Sequence, residues 1–198
     1  MKFFRKLALA ALLTALLTGT CLARETFHGA YLQGFPDGSI RPDAAVTRAE
    51  LAEILYRMME PEQRRELTCT ESAFQDVSAR HWAYDAITEA VAAGYFKGVS
   101  DTAFDPEGTL TRAMLVTVLA RAAGAETDDN ASTGFSDVAA GTWYTGAVAW
   151  AAENGVVTGD GDGTFAPDRA ATRQETATIF LRLLKLLNKT LPEIEEVK

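Results

Sequence analysis

Three stretches of the chain place mostly apolar side chains at the i, i+3, i+4 and i+7 positions of a helix, and each follows a Thr-Arg pair. This spacing puts one narrow apolar stripe on each helix. Three equivalent stripes can be buried against one another. The pattern therefore predicts a mainly α fold in which three helix-loop-helix repeats form a pseudo-threefold helical bundle. The stripes are Leu51, Ile54, Leu55 and Met58; Leu115, Val118, Leu119 and Ala122; and Thr176, Ile179, Phe180 and Leu183.

A turn rich in Gly, Asp and Pro precedes each of these helices, at residues 34–42, 98–106 and 159–167. In the first and third copies the helix then opens with Thr47 and Glu50, and with Thr172 and Glu175. Threonine followed by glutamate three residues later is the spacing of a capping box, in which each side chain bonds the backbone N–H of the other residue. We therefore predict that these residues cap the helix starts.

The middle copy keeps the threonine, Thr111, but has Met114 where the other copies have glutamate. This predicts a cap made by the threonine alone. Met114→Glu would complete the box, and it is expected to raise the free energy of unfolding by roughly 0.5 kcal/mol. The opposite sign is expected if the methionine fills an apolar gap, since burying it contributes about 1.5 to 3 kcal/mol.

The second and third copies match over a longer stretch, because at least fourteen residues recur 61 positions later without a gap. In the first copy, Arg57 keeps the place that Arg121 and Arg182 hold in the others. Such constancy marks internal duplication. The recurring residues of the second copy include Phe74, Asp76, Val77, Trp82, Ala86, Ala90, Gly94, Gly98, Asp101, Phe104, Pro106, Thr111, Arg112 and Arg121.

Each of these two full copies begins with a further helix, here called the leading helix, predicted at residues 82–93 and 143–154. Gly94 and Gly155 suit the left-handed conformation that ends a helix. Asp76 and Asp137, just before the leading helices, are predicted to be caps or turn formers. The first copy has no room for a leading helix.

The start of the chain has the layout of a secretory signal peptide. Lys2, Arg5 and Lys6 precede an apolar run at 7–17, and small residues at 20–23 offer a cleavage site. Removing these three basic residues from 19 leaves 16 against 27 acidic residues, so the mature chain carries about −11 and nucleic acid is not expected as a partner. We expect a secreted protein without a transmembrane segment in its mature part.

The chain is thereby divided into a signal peptide at 1–23, a first repeat at 24–60, a connector at 61–73, a second repeat at 74–125, a connector at 126–134, a third repeat at 135–187 and a tail at 188–198.

A lipoprotein anchored through Cys21 is the less favoured alternative to cleavage after Ala23, because the residues before Cys21 fit a lipoprotein box poorly. With Cys21 removed, Cys69 is the only cysteine, so no internal disulfide is expected.

The order Phe-x-Asp-Val, Trp, a Gly-ended helix, Gly-x-x-Asp-Gly-Thr-Phe-x-Pro and Thr-Arg-x-Glu resembles the S-layer homology domains of bacterial cell-surface proteins. The resemblance covers residues 31–187 as three tandem copies. It implies a three-pronged helical fold whose grooves bind secondary cell-wall polysaccharide, often a pyruvylated one. It also implies non-covalent anchoring of an exported protein to the wall, most often of a Gram-positive bacterium.

The resemblance also implies which residues bind the polysaccharide. The first repeat lacks the tryptophan and its helix, so the sites around Arg112 and Arg173 are favoured. An arginine in the first turn of a helix adds a planar donor to the positive helix end, which suits a carboxylate. The implied ligand-binding residues are Arg48, Arg112 and Arg173, the loop residues Asp37, Asp101 and Asp162, and Trp82 and Trp143.

We expect Arg173 to be exposed, so that Arg173→Ala weakens wall binding and leaves the fold nearly intact, with lysine a poor substitute. Each residue type also has a structural interpretation, which is the less favoured one for the arginines, an equal one for the aspartates and the favoured one for the tryptophans. The arginines could pair with glutamates around the bundle, the tryptophans could be core anchors, and the aspartates could hold their own turns.

No metal site, cofactor or enzymatic activity is expected. The Asp-Gly run at 160–163 departs from a calcium loop at its sixth and twelfth positions, and His28 and His81 have no partner at ligand or catalytic spacing. The sequence thus predicts a non-enzymatic wall-binding module. The alternatives are a self-assembling surface-layer protein without cargo and, less favoured, a glycan-cleaving enzyme with paired carboxylates.

Overall fold

The computed structural model describes residues 32–59 and 71–187. The predicted signal peptide, most of the first connector with Cys69, and the tail lie outside these residues. Within the described part the protein has five α-helices and no strand, which confirms a mainly α fold. The helices are α1 (Arg48–Met58), α2 (Tyr84–Ala92), α3 (Arg112–Ala122), α4 (Thr145–Glu153) and α5 (Arg173–Leu186).

Helices α1, α3 and α5 follow the Thr-Arg pairs and are called the motif helices, whereas α2 and α4 are the leading helices. Both leading helices begin two residues later than predicted. The delay has a local cause, since a turn precedes each of them; the N–H of Tyr84 bonds the carbonyl of His81, for example. Gly94 and Gly155 follow the leading helices with φ of +77° and +67°, which is the left-handed conformation predicted for them.

The three motif helices begin in two different ways. In α1 and α5 the threonine and the glutamate form complete capping boxes. In α3 only one half is present, because the Thr111 hydroxyl accepts from the N–H of Met114 at 3.2 Å and Met114 has no group that bonds back. The Met114 side chain is partly buried against the core. The middle helix therefore has one cap contact where its equivalents have two.

Much of the core lies between the first two motif helices and the leading helices that follow them. Helix α1 packs against α2, and α3 packs against α4 as well as α5. The stripe residues supply most of this core, and eleven of the twelve are buried; Ala122, partly buried, is the exception. A leading helix therefore belongs structurally to the motif helix before it, although by sequence it starts the next repeat.

Backbone hydrogen bonds connect the three repeats in a closed ring. Val46, Leu110 and Ala171 occupy equivalent positions just before the motif helices. The N–H of Val46 donates to Ala171, that of Ala171 to Leu110, and that of Leu110 back to Val46, at 2.9–3.0 Å. The contacts therefore follow one another cyclically from repeat to repeat. The three-pronged, pseudo-threefold shape of the whole molecule stays a prediction.

Asp76 and Asp137 do not cap their leading helices, whose first residues have no side-chain cap. Each carboxylate instead reaches the turn before the next motif helix. Asp76 accepts from the N–H groups of Phe104 and Asp105 at 2.9 and 2.7 Å. Asp137 accepts from the equivalent two N–H groups in the third repeat at 2.8 and 2.7 Å. The backbone of Asp105 has a positive φ of 59°, a conformation that non-glycine residues rarely adopt. The carboxylate of Asp76 therefore stabilises an unfavourable turn.

We expect Asp76→Ala to lower the free energy of unfolding by about 2 kcal/mol, because two backbone donors lose a charged acceptor. Partial burial raises the pKa of the Asp76 carboxyl, but the hydrogen bonds from Phe104 and Asp105 outweigh it, so the pKa lies below its ordinary value. A lowered folded-state pKa gives stability that is present above the unfolded pKa of about 3.9 and disappears as the pH falls through the folded pKa. Urea unfolding should therefore show a difference from wild type that shrinks in acid.

Asp101→Ala is the matched control for this experiment. Asp101 is exposed and accepts no hydrogen bond from the described residues, so its removal should change stability by less than about 0.5 kcal/mol. Equal losses for the two variants would contradict the role given to Asp76.

Candidate functional site

Three grooves at equivalent positions lie between a motif arginine and a motif helix. Groove A is lined by Arg173, α1 and Trp82 and encloses about 590 Å³. Groove B is lined by Arg48, α3 and Trp143 and encloses about 200 Å³. Groove C is lined by Arg112 and α5 and encloses about 290 Å³. In each groove the arginine comes from one repeat and the motif helix from another, so the sites depend on the ring of repeats.

The three arginines are buried, with exposed fractions of only 6% for Arg48, 4% for Arg112 and 6% for Arg173. Each Nε donates to a backbone carbonyl in the turn of another repeat, namely that of Phe104 at 2.7 Å, Phe165 at 2.8 Å or Ile40 at 3.0 Å. Burial lowers the pKa of Arg48 and Arg112 below the ordinary value. The expectation that Arg173 is exposed is therefore wrong, and this removes the reason for expecting that its removal leaves the fold nearly intact.

Each guanidinium also lies over an aromatic ring. Arg48 is 4.4 Å from the ring centre of Phe104, and Arg112 is 4.7 Å from that of Phe165. In the first repeat the equivalent of these phenylalanines is Ile40, which is 70% exposed. Arg173 instead lies over Phe35 of the same turn, at 4.8 Å. A cation over an aromatic face is thus kept in all three grooves, with a different ring in the first repeat.

The grooves differ at the third residue of their motif helix. In groove A, Nη1 of Arg173 is 3.4 Å from Oε1 of Glu50. In groove C, Nη1 of Arg112 is 3.2 Å from Oε1 of Glu175. Groove B has Met114 at this position, so Arg48 has no such carboxylate. The two capping-box glutamates therefore serve both a helix start and a buried arginine from another repeat.

At groove C, Arg169 adds an ion-pair network with two of the lining carboxylates. Arg169 bonds both Asp160, at 3.1 Å, and Glu175, at 2.8 Å. Burial raises the pKa of Glu175, but the hydrogen bonds from Arg169 and the Thr172 N–H outweigh it, and the pKa lies below its ordinary value. The carboxylates of groove C are thus already engaged by the protein's own cations.

Both predicted tryptophans are largely exposed, 60% for Trp82 and 55% for Trp143, so the core-anchor interpretation is wrong. Each belongs to the repeat that follows the groove's motif helix. Among the described residues no tryptophan lines groove C, whereas the groove of Arg48 has Trp143. Sequence reasoning favoured Arg112 over Arg48 because it assigned each tryptophan to the arginine of its own repeat.

The three loop aspartates do not line grooves A, B or C. The carboxylates of Asp37 and Asp162 accept hydrogen bonds from the residue two positions on, Ser39 or Thr164. The Ser39 side chain and N–H, with Arg41, hold the pKa of Asp37 at about 2. Asp101 is exposed, and in its turn the hydroxyl of Ser100 accepts instead. The contacts of Asp37 and Asp162 are those of turn formers.

Sequence reasoning missed one recurring groove residue. Arg57, Arg121 and Arg182 line grooves A, B and C respectively. Their equal spacing from the motif arginines was visible in the sequence but was given no role. Lys97 of groove B was missed as well, and it has no recurring equivalent to identify it.

The described residues contain no group of three or more His, Cys, Asp or Glu side chains placed to hold a metal ion. His81 lies 3.4 Å from Glu107 and accepts from the N–H of Ala83, which are local contacts. No helix of residues 32–59 and 71–187 is long and apolar enough to cross a membrane.

A ring of helical repeats with equivalent grooves, each built from arginine and a motif helix, defines a repeat-built binding module. The S-layer homology domain is matched at residues 28–52, 73–113 and 134–177, which together make up more than half of the chain. The chain therefore belongs to the S-layer homology family, whose members are located at the bacterial cell surface.

Several curated proteins are similar to the chain. Cell surface glycoprotein 1 of Acetivibrio thermocellus is 34% identical over 184 residues, which are 85% of this chain and 8% of that protein. The Surface-layer 125 kDa protein of Lysinibacillus sphaericus is 32% identical over 84% of this chain and 14% of its own length. The Cellulosome-anchoring protein of Acetivibrio thermocellus is 28% identical over 80% of this chain and 36% of its own length. The chain thus spans well under half of each relative.

Proposed function

We propose that the chain attaches to the bacterial cell wall by binding a secondary cell-wall polysaccharide, with grooves A and B as the binding sites. The observation that carries the proposal is the exposed indole in each of these grooves, beside a helix start and a buried arginine. Exposure of the apolar indole face to water is unfavourable, and a sugar ring stacked on it would remove that surface from water. The Cellulosome-anchoring protein among the relatives supports an anchoring role.

The indoles are held in place by their neighbours. The Trp82 ring stacks on His81 with ring centres 5.7 Å apart, and Trp143 meets the edge of Tyr144 at 5.1 Å. Such contacts reduce the entropy lost when a ligand binds. A polymer offers repeated units to both grooves at once. Once one groove is occupied, the effective concentration of polymer at the other groove is high, so two weak sites together give a higher affinity than either alone.

The net charge of −8 for the full chain does not prevent binding of an anionic polymer. Long-range repulsion is screened beyond about 8 Å at physiological salt, and within a groove the nearest side chains decide. The secondary cell-wall polysaccharide that we propose as the ligand can therefore be acidic, as a pyruvylated polysaccharide is.

Sedimentation with purified wall sacculi tests this proposal. The protein is expected to sediment with intact sacculi of the producing organism and to stay in solution with sacculi from which the polymer has been hydrolysed. Equal retention before and after hydrolysis would contradict polysaccharide binding.

A self-assembling surface-layer role is the second candidate, and a Surface-layer 125 kDa protein among the relatives favours it. Analytical ultracentrifugation of the protein alone separates the two candidates. Assembly predicts large particles whose amount rises with protein concentration, whereas anchoring predicts wall retention at concentrations where the protein stays a small species.

A further inference from the structure

One stripe of α5 is exposed, although the equivalent stripe of α3 is buried. Leu181 is 44% exposed, Gln174 is exposed and Ala177 is only partly buried. The α3 residues 61 positions earlier are all buried, as are the equivalents of the first two in α1. The buried equivalents are Ala113, Val116 and Ala120 in α3, and Ala49 and Ala52 in α1. The exposed part of α5 is called the open stripe.

The difference follows the leading helices. Helix α1 packs against α2, and α3 packs against α4, so each of these motif helices is covered by the leading helix of the next repeat. No leading helix follows α5 within residues 32–59 and 71–187. A cover that removed Leu181 from water would be favourable. The open stripe is therefore a place where a further segment can pack.

The chain enters the first repeat beside the start of α5. In the second repeat, the carbonyl of Lys97, shortly after α2, accepts from Nη2 of Arg48 at the start of α1. Gln33 lies 64 positions before Lys97, and its carbonyl accepts from Nη2 of Arg173 at the start of α5, at 2.6 Å. The chain that leads into Leu32 therefore approaches α5 as the end of α2 approaches α1.

We propose that residues 24–31 fold back along α5 and cover the open stripe, in the place that a leading helix takes on α1 and α3. These residues remain in the chain after the predicted cleavage, and they include the aromatic residues Phe27 and Tyr31. Phe27 has the sequence position of Val91, a residue of α2 that packs against the core. The segment thus offers apolar side chains at the register of a leading helix.

The length of the segment suits the distance that it must cover. Eight residues span about 12 Å as a helix and about 27 Å when extended. Leu181 lies eight residues beyond Arg173, which is about 12 Å along α5. A segment that enters beside Arg173 therefore reaches Leu181 in either conformation.

The size of the open stripe favours a segment of the same chain over a second copy. A 14-residue helix is about 21 Å long and about 10 Å wide, so one face offers roughly 200 Å². Each partner of a standard interface buries about 800 Å². A tethered segment needs less area, because a short tether gives it an effective concentration in the millimolar range.

Thiol labelling at the open stripe tests the proposal. Leu181→Cys is made together with Cys69→Ser in the chain that starts at Arg24, so that a single thiol is present. A maleimide is expected to label this thiol at least tenfold more slowly than in the same protein shortened to start at Leu32.

Leu186→Cys is the matched control for labelling. Leu186 is an exposed leucine of the same helix, but it lies about 140° around the helix axis from Leu181. Its labelling rate should be the same in the two chain lengths. A rate that rises equally at both positions on shortening would show general loosening of α5 and overturn a specific cover.

Phe27→Glu tests the segment at full length, and it decides the question even where the shortened chain unfolds. A charge at this position should detach the segment and raise the labelling rate at Leu181→Cys several-fold, with no change at Leu186→Cys. Phe27→Leu keeps an apolar side chain and should label as the parent protein does. Unchanged labelling with Phe27→Glu would overturn the role of residues 24–31.

Other occupants of the open stripe give different results. Protection of Leu181→Cys that is equal in both chain lengths and rises with protein concentration would assign the stripe to a second copy. Protection that is lost when residues 188–198 are deleted, and kept when residues 24–31 are deleted, would assign it to the tail. Either result would overturn the proposal.

Discussion

Arg173→Ala is expected to lower the free energy of unfolding by about 3 kcal/mol. The side chain donates to the carbonyls of Ile40 and Gln33 and lies 3.4 Å from Glu50, all in the first repeat. A buried acceptor left without its donor costs about 1 to 3 kcal/mol. Removing one partner of a buried ion pair is similarly expensive, at about 3 to 5 kcal/mol. Because the Arg173 side chain connects the last repeat to the first, its loss weakens a contact that closes the ring, beside the backbone hydrogen bonds that remain.

Urea unfolding followed by circular dichroism measures this effect, and Arg80→Ala is its control. Arg80 is exposed, so its truncation should change stability by less than about 0.5 kcal/mol. Arg173→Lys should recover only part of the loss, because a lysine offers one nitrogen where the guanidinium reaches three acceptors. Equal stability of Arg173→Ala and Arg80→Ala would show that the ring does not depend on this arginine.

The motif helices could be predicted from sequence because their signals are local. Threonine, glutamate and the apolar stripe lie within one or two turns of each other, and the physics of a helix start or an amphipathic helix acts over that distance. The start of α3 follows the same logic, since the absence of a glutamate at Met114 is itself a local signal. The leading helices were placed with an error of two residues, because the turn at His81 that delays α2 carries no strong sequence mark.

The contacts of the arginines could not be predicted, because their acceptors are backbone carbonyls of another repeat. Every residue has a carbonyl, so a pattern of side chains does not show which one an arginine reaches. The exposure of Trp82 was missed for a related reason. Repetition shows that a tryptophan recurs, but only the packing of α2 on α1 shows which groove it faces.

The charge difference between the grooves could be predicted from sequence only in part. The substitution at Met114 was visible in the sequence, where it indicated a weaker helix cap. Its second consequence, a buried Arg48 without a carboxylate, needed the knowledge that the capping glutamates also pair an arginine from another repeat. When one residue has two roles, the sequence pattern indicates only the role that depends on its neighbours in the chain.

Trp143→Ala is expected to reduce retention on wall sacculi at least tenfold, and Trp82→Ala should do the same. Both side chains are more than half exposed, so their removal takes little from the core, whereas a tryptophan at the centre of a binding site often carries 2 kcal/mol or more of the binding free energy. Because the two grooves lie on one chain, losing either one also removes the gain from simultaneous binding. The double variant should therefore bind about a hundredfold more weakly than wild type.

Two controls separate loss of stacking from loss of apolar surface or of folding. Trp143→Phe keeps an aromatic face and should retain most of the binding that Trp143→Ala loses. Leu181→Ala removes an exposed apolar side chain outside the grooves and should have no effect. The unfolding midpoint of each variant should stay within a few degrees of wild type, since the indoles contribute little to the core. Full retention by the double variant would remove both tryptophans from the binding site.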